Sequence, residues 1–199
     1  MGNVYQLLGH YSKAIDYHQQ ALDITREIGD RHNEGALLGN LGNTYRSLGQ
    51  YPKAIEYFEQ ALAIAQEIGN RHNEGAWLGN LGNTYQSLGQ YPKAIEYYQQ
   101  ALTIAQEIGD RNMDGAVLGN LGSAYGSLGQ YQQSIDYFQQ ALAIAREIGD
   151  RRGEGNHLAN LGMSFARLED YAQAQQFWQQ ALRIYEEIGA PESEKVRNW

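Results

Sequence analysis

The sequence predicts an all-α fold, a solenoid built from antiparallel helix pairs. Residues 31–70 and 71–110 differ at only six of 40 positions, and the same 40-residue pattern recurs through the rest of the chain. Within each period, apolar residues recur at steps of three and four, which is typical of amphipathic helices. A single helix hairpin cannot bury its apolar face alone, so neighbouring pairs are expected to stack. Because no linker or low-complexity tract interrupts the period, we expect one continuous array.

Each repeat is predicted to contain two helices, and the second repeat shows the signals clearly. Its first helix is expected at about residues 31–48, since Asp30 is a favourable N-cap and Gly49 interrupts the pattern. Its second helix is expected at about residues 51–68, with Gly69 ending it. The predicted segments are a truncated first repeat at 1–30, full repeats at 31–70, 71–110, 111–150 and 151–189, and a partial capping segment at 190–199.

This pattern resembles tetratricopeptide repeats, whose first helix carries Leu-Gly-x-x-Tyr and whose second carries small-x-x-x-aromatic-x-x-small. The matching residues in the second repeat are Leu41, Gly42, Tyr45, Gly49, Tyr51, Ala54, Phe58 and Ala61. The long second helix without a closing proline is similar to repeats of the Leu-Gly-Asn-rich spindle-orientation adaptors (LGN/Pins), kinesin light chain and bacterial signalling arrays. The resemblance implies a right-handed superhelix with concave first helices and convex second helices, and a role in protein binding.

Composition excludes several functional classes. The 15 Lys and Arg residues against 23 Asp and Glu give a net charge of −8, which opposes binding to the phosphate backbone of nucleic acids. No apolar run approaches the ~20 residues that span a membrane. The chain has no cysteine, and its five histidines lack metal-binding spacing. We therefore expect a cytoplasmic protein without metal, cofactor or enzymatic activity.

The predicted binding site is a polar stripe along the first helices. Asparagine recurs at one helical position in four repeats, and its amide can pair with both polar groups of a peptide unit. The resemblance implies that such asparagines form a ladder along an extended ligand, whereas bonds between adjacent repeats are the alternative. The predicted peptide-binding residues are Asn40, Asn43, Arg46, Asn80, Asn83, Gln86, Asn120, Asn160 and Arg167.

Gly39 requires a separate explanation, because a glycine inside a helix costs roughly 0.5–1 kcal/mol relative to alanine. One interpretation is close packing between adjacent repeats. The other is that Gly39, Gly79 and Gly119 keep the inner wall low, so that the backbone of a ligand can lie against it. On the neighbouring stripe, Gly42 is expected to let the partner helix approach closely.

Charge favours a protein or peptide partner with some acidic residues. The first-helix segments carry net charges of +1, 0, 0 and +2, whereas each second-helix segment with its turns carries −2 or −3. The leading prediction is a non-catalytic protein–protein interaction module that binds an extended or helical segment of its partner. The divergent fourth and fifth repeats are expected to determine specificity. Their distinguishing residues are Ser123, Gly126, Asn156, His157, Met163 and Arg167.

The alternative is a self-assembling scaffold or oligomerisation module. Met1 aligns with Leu41 in the middle of a first helix, and no complete first helix follows Pro191. We expect either that the array belongs to a longer protein or that its two ends meet in a homo-oligomer. Val196 and Trp199 are the apolar groups expected at the second of these ends.

Overall fold

The computed structural model describes residues 1–197, which form helices joined by short turns and contain no strand. The all-α prediction is thus confirmed. Trp199, one of the two expected apolar end groups, lies outside the described residues. The helices are α1 (Gly2–Leu7), α2 (Tyr11–Ile28), α3 (Arg31–Ser47), α4 (Tyr51–Glu67), α5 (Arg71–Ser87), α6 (Tyr91–Ile108), α7 (Arg111–Ser127), α8 (Tyr131–Ile148), α9 (Arg151–Arg167), α10 (Tyr171–Glu187) and α11 (Glu192–Val196).

Local signals determine where these helices begin and end. The Asp30 carboxylate accepts a hydrogen bond from the backbone N–H of Asn33 at 3.0 Å, so the predicted N-cap of α3 is confirmed. Gly69 adopts a φ of +68°, the left-handed conformation that terminates a helix without a Cβ clash. Both α3 and α4 end one residue earlier than predicted. The same capping bond occurs at Asn70, Asp110, Asp150 and Asp170.

The chain forms two compact units, Met1–Ile104 and the residues from Ala105 onward. In the first unit, the consecutive helices from α1 to α5 pack against one another, around a core that includes Leu22, Leu38 and Leu41. In the second, α7 to α11 pack successively in the same way, around the core that contains Phe138 and Leu158. Within both units, the first and second helices of each repeat are neighbours.

Inside each repeat, the glycine of Leu-Gly-x-x-Tyr contacts an aromatic ring of the second helix. A Cβ placed on Gly42 would lie only 2.7 Å from Cε1 of Phe58. The absence of a side chain therefore lets the second helix approach, as expected from the sequence. The corresponding pairs are Gly2 with His18, Gly82 with Tyr98, Gly122 with Phe138, and Gly162 with Trp178.

Near the starts of α3, α5, α7 and α9, a carboxylate binds one or two arginines. Glu34 is buried and accepts hydrogen bonds from Arg26 at 2.9 Å and from Arg31 at 2.5 Å. Arg31 also pairs with Glu67 of the following helix. These bonds connect α2, α3 and α4. Related pairs are Arg71 with Glu74, Arg111 with Asp114 and Glu147, and Arg151 with Glu154 and Glu187.

Val196 is not an exposed end group, and that expectation was wrong. It is only 6% exposed, because the short helix α11 folds against α10 and carries it into the core of the second unit. Two ion pairs hold this arrangement, Arg152 with Glu192 at 2.7 Å and Arg197 with Glu186 at 2.5 Å.

Candidate functional site

All nine predicted binding residues lie on the first helices of the repeats. Eight are half-buried, and Arg167, the last residue of α9, is exposed. Six belong to the first unit and three to the second. The first-unit residues are Asn40, Asn43 and Arg46 on α3 and Asn80, Asn83 and Gln86 on α5; the second-unit residues are Asn120 on α7 and Asn160 and Arg167 on α9.

Three of the ladder asparagines have side chains that are free to bind. Within residues 1–197, the side chain of Asn40 forms no hydrogen bond, although its backbone carbonyl accepts from the Thr44 hydroxyl at 2.8 Å. The same holds for Asn80, whose carbonyl accepts from Thr84 at 2.7 Å, and for Asn160, whose carbonyl accepts from Ser164 at 3.0 Å. All three side-chain amides therefore keep their donors and acceptor for solvent or a ligand.

Other predicted residues already bind neighbouring side chains. The hydroxyl of Tyr98 donates to Oδ1 of Asn83 at 2.7 Å and to Oε1 of Gln86 at 3.0 Å. Oδ1 of Asn43 accepts from Arg46 at 3.1 Å. Burial raises the pKa of Tyr98, so the hydroxyl keeps its proton. A tyrosine at the second-helix aromatic position was the sequence signal for this bond, and it was missed.

Arg46 is a half-buried cation without a carboxylate partner among the described residues. Its guanidinium donates one hydrogen bond, to Asn43, and interacts electrostatically with the side chains of Tyr98 and Tyr51. Burial lowers the pKa of the guanidinium below its ordinary value, although it stays charged near neutral pH. A desolvated cation of this kind gains stability from an anionic partner.

The second unit contains a groove between α7 and α9, which we call the α7–α9 groove. It consists of two cavities of about 330 and 320 Å³ that share Ser123, Phe138 and Asn160 in their lining. His157 lines the first cavity and Arg167 lines the second. These two residues are ten positions apart on α9, or roughly 15 Å. That length matches four or five residues of an extended peptide.

All six residues that distinguish the fourth and fifth repeats line this groove. The first cavity includes Ser123, Asn156 and His157. The second includes Ser123 again, with Gly126, Met163 and Arg167 completing the set. The divergence between repeats is therefore concentrated on one surface of the second unit.

Close packing between first helices explains two of the three unusual glycines. A Cβ on Gly39 would lie 2.1 Å from the indole of Trp77, and one on Gly119 would lie 2.7 Å from Cε1 of His157. At Gly79, by contrast, no such neighbour lies within 4 Å. Burial lowers the pKa of His157, which favours a neutral ring at the edge of the groove.

The part of the chain that the structure describes contains neither a candidate metal site nor a candidate membrane-spanning helix. Residues 1–197 contain no group of three or more His, Asp or Glu side chains placed to hold a metal ion. None of the helices in that range combines the length and apolarity needed to cross a membrane.

Comparison with protein families gave matches along nearly the whole chain. A model of the tetratricopeptide repeat matches four overlapping segments, at residues 1–67, 33–107, 73–147 and 113–187. A comparison of the sequence with curated proteins found no match.

Several solved structures share the fold at low sequence identity. BtubC (BKLC) from P. vanneervenii has a TM-score of 0.87 and 24% identity, over 94% of this chain and 78% of that one. A putative kinesin light chain with nearly identical repeats, from Podosopora anserina, has a TM-score of 0.77 and 22% identity, over 94% and 92%. A Rap protein complexed with Competence and Sporulation Factor has a TM-score of 0.78 and 20% identity, over 94% and 52%.

Proposed function

The chain belongs to the tetratricopeptide-repeat family, and we propose that it is a non-catalytic protein–protein interaction module. In this proposal it binds an extended or helical peptide segment of a partner protein along its first helices, in the cytoplasm. The proposed contact residues are Asn40, Asn43, Arg46, Asn80, Asn83, Gln86, Asn120, Asn160 and Arg167.

The α7–α9 groove is the observation that carries this proposal. It is long enough for several residues of an extended chain, and the free side-chain amide of Asn160 lies where its two cavities meet. An amide in that position can donate to the carbonyl and accept from the N–H of a ligand backbone. The walls combine apolar Phe138 with polar Ser123, a mixture that suits a peptide.

The structural neighbours support a binding role. The Rap structure was solved as a complex with Competence and Sporulation Factor, so the fold can hold a second component. Because the identity is only 20%, the likeness supports the type of role and not the identity of the ligand.

Charge supports an acidic partner. Arg46 and Arg167 form no ion pair with carboxylates in residues 1–197, whereas the arginines at the starts of the first helices do. Attraction between these cations and an acidic peptide should weaken as salt is added. A binding affinity that does not change with ionic strength would contradict this part of the proposal.

A displayed library of random eight-residue peptides provides the experimental probe. Peptides selected on the purified chain are labelled, and their affinity is measured by fluorescence anisotropy. Replacing Asn160 with alanine should weaken binding by about 1–2 kcal/mol, because a buried backbone group of the peptide loses its partner. Gln139 on α8 carries a side-chain amide that is exposed and does not line the groove, so Gln139→Ala is the control. If Asn160→Ala and the wild type bind the peptide with equal affinity, the proposed asparagine contact with the peptide backbone is refuted.

Self-assembly is the second candidate function. Its support is the exposure of Ile24, which is 58% exposed although Ile64 at the same repeat position is 5% exposed. A second copy could cover this apolar surface. Light scattering at several concentrations tests the idea, and a strict monomer at high concentration would rule it out.

A further inference from the structure

We propose that the α7–α9 groove contains a subsite for one acidic side chain of the bound peptide, centred on Gly126 and paired with Arg167. The inference rests on the proposed function and gives the chemistry of one position of its ligand.

The subsite is the cavity of about 320 Å³ near the end of α7. Gly126 lines it, at the repeat position where α3 has Arg46 and α5 has Gln86. The long side chain of those repeats is therefore missing here. No side chain enters the cavity from Gly126, and α7 lies so close to α8 here that a Cβ would be only 3.2 Å from the buried hydroxyl oxygen of Ser134.

A buried pair of hydroxyls lines this cavity. Ser134 is fully buried, at the position where Ala54 and Ala94 are also fully buried, so its hydroxyl has no counterpart in those repeats. Its oxygen lies 3.0 Å from that of Ser164. Ser164 is also 3.0 Å from the backbone carbonyl of Asn160.

Arg167 supplies the charge that selects the ligand. Among the described residues lining this cavity it is the one charged side chain, and it forms no ion pair within residues 1–197. The repeat-equivalent residues Ser47 and Ser127 are neutral. A guanidinium binds a carboxylate through two parallel hydrogen bonds, so an acidic side chain fits both the charge and the donor geometry of Arg167.

The experiment uses the same displayed library of eight-residue peptides, with amidated C-termini in the follow-up measurements. Selection is run on the wild type, on Gly126→Gln, which restores the residue of α5, and on Arg167→Ser, which restores the residue of α3. We expect the wild type to enrich Asp or Glu at one fixed position, and both variants to lose that preference. Circular dichroism checks that the variants remain folded.

A selected peptide and its Glu→Gln or Asp→Asn counterpart then give a double-mutant cycle. The neutral peptide should bind the wild type about tenfold more weakly, whereas the two peptides should bind Arg167→Ser equally. If the acidic preference survives Arg167→Ser, the subsite is refuted. A wild-type preference that vanishes when the C-terminus is amidated would assign the carboxylate to the chain end and also refute an acidic side chain.

Failure of the proposed function gives a different result. A library from which the wild type recovers no peptide refutes both proposals. Peptides that depend on Asn160 but show no acidic preference refute the subsite alone.

Discussion

The indole of Trp77 occupies the space that the missing side chain of Gly39 leaves open. A Cβ on Gly39 would overlap the ring, at 2.1 Å from Cη2. The two residues lie on adjacent first helices, α3 and α5, within one compact unit. The glycine thus allows a large aromatic side chain to pack between repeats.

Alanine at Gly39 and at Gly79 should therefore have opposite effects. Gly39→Ala forces the indole to move, and we expect a loss of about 1–3 kcal/mol in the free energy of unfolding. Gly79 occupies the same repeat position without such a neighbour, so Gly79→Ala should gain about 0.5–1 kcal/mol from helix propensity. Urea denaturation measures both. In a Trp77→Leu background, Gly39→Ala should lose most of its cost; equal effects at the two glycines would contradict this account.

The sequence predicted the helices well because their signals are local. Asp30 and Gly69 act within a few residues of their own positions, and the observed ends of α3 and α4 differ from the predicted ends by one residue. The role of Gly39 depends on how two repeats pack. The repeat period of the sequence does not specify which side chains of neighbouring repeats are in contact. Val196 was misjudged for the same reason, since its burial depends on the path of α11.

The candidate site was predicted in part. The asparagine stripe and the divergent residues of the fourth and fifth repeats were visible as repeat positions, and the latter line one groove. The sequence did not predict which side-chain amides already have hydrogen-bond partners, because Asn83 and Gln86 accept from Tyr98, which lies on another helix. The hydroxyl pair of Ser134 and Ser164 spans 30 positions and has no periodic signature.

The two carboxylates bound to Arg31 should differ in their contribution to stability. The side chain of Glu34 is 8% exposed, whereas that of Glu67 is 56% exposed. We expect Glu34→Gln to lower the midpoint of thermal unfolding by about 2–8 °C, since a buried charge-assisted bond is lost. Glu67→Gln should cause no measurable change, because solvent screens an exposed ion pair.

Low pH should remove the contribution that Glu34 makes to the stability of the fold. Burial alone would raise its pKa, but the hydrogen bonds from Arg26 and Arg31 hold the pKa below the ordinary value for glutamate. Its contribution is therefore present above a pH of about 4.5 and is lost as the pH falls through the lower pKa of the folded state. Thermal unfolding measured from pH 7 to pH 3 should show the wild type and Glu34→Gln converging. A constant difference would contradict the ion-pair explanation.

His18 should make the first unit sensitive to mild acid. The ring is 4% exposed, and its Nε2 has no hydrogen-bond partner in the described residues. Burial lowers the pKa of His18, so the unfolded chain takes up a proton more readily than the folded chain. The corresponding stability is present above a pH of about 6.5 and is lost as the pH falls through the folded-state pKa.

Phenylalanine at position 18 should remove both the unbonded ring nitrogen and the sensitivity to acid. Phe58 and Phe138 occupy the same repeat position and are buried, so the site accepts that ring. We expect His18→Phe to stabilise the chain by about 1–2 kcal/mol at pH 7, because no unsatisfied nitrogen remains. Urea denaturation at pH 7 and pH 5 should show the advantage growing at the lower pH. An advantage of the same size at both values would show that protonation of His18 is unimportant.

Glu169 carries backbone strain that glycine should relieve. Among the described residues it is the one non-glycine residue with positive φ, at +63°, and Gly49, Gly89 and Gly129 occupy its position in other repeats with φ of +71° to +76°. A left-handed conformation costs a residue with a Cβ roughly 1–2 kcal/mol. Glycine avoids that cost but adds about 0.4–1 kcal/mol of chain entropy to the unfolded state. Glu169→Gly should therefore stabilise the chain by about 0.5–1 kcal/mol in urea denaturation, and the reverse-type change Gly129→Ala should destabilise it. A loss of stability in Glu169→Gly would mean that the Glu169 side chain supplies stabilisation larger than the strain.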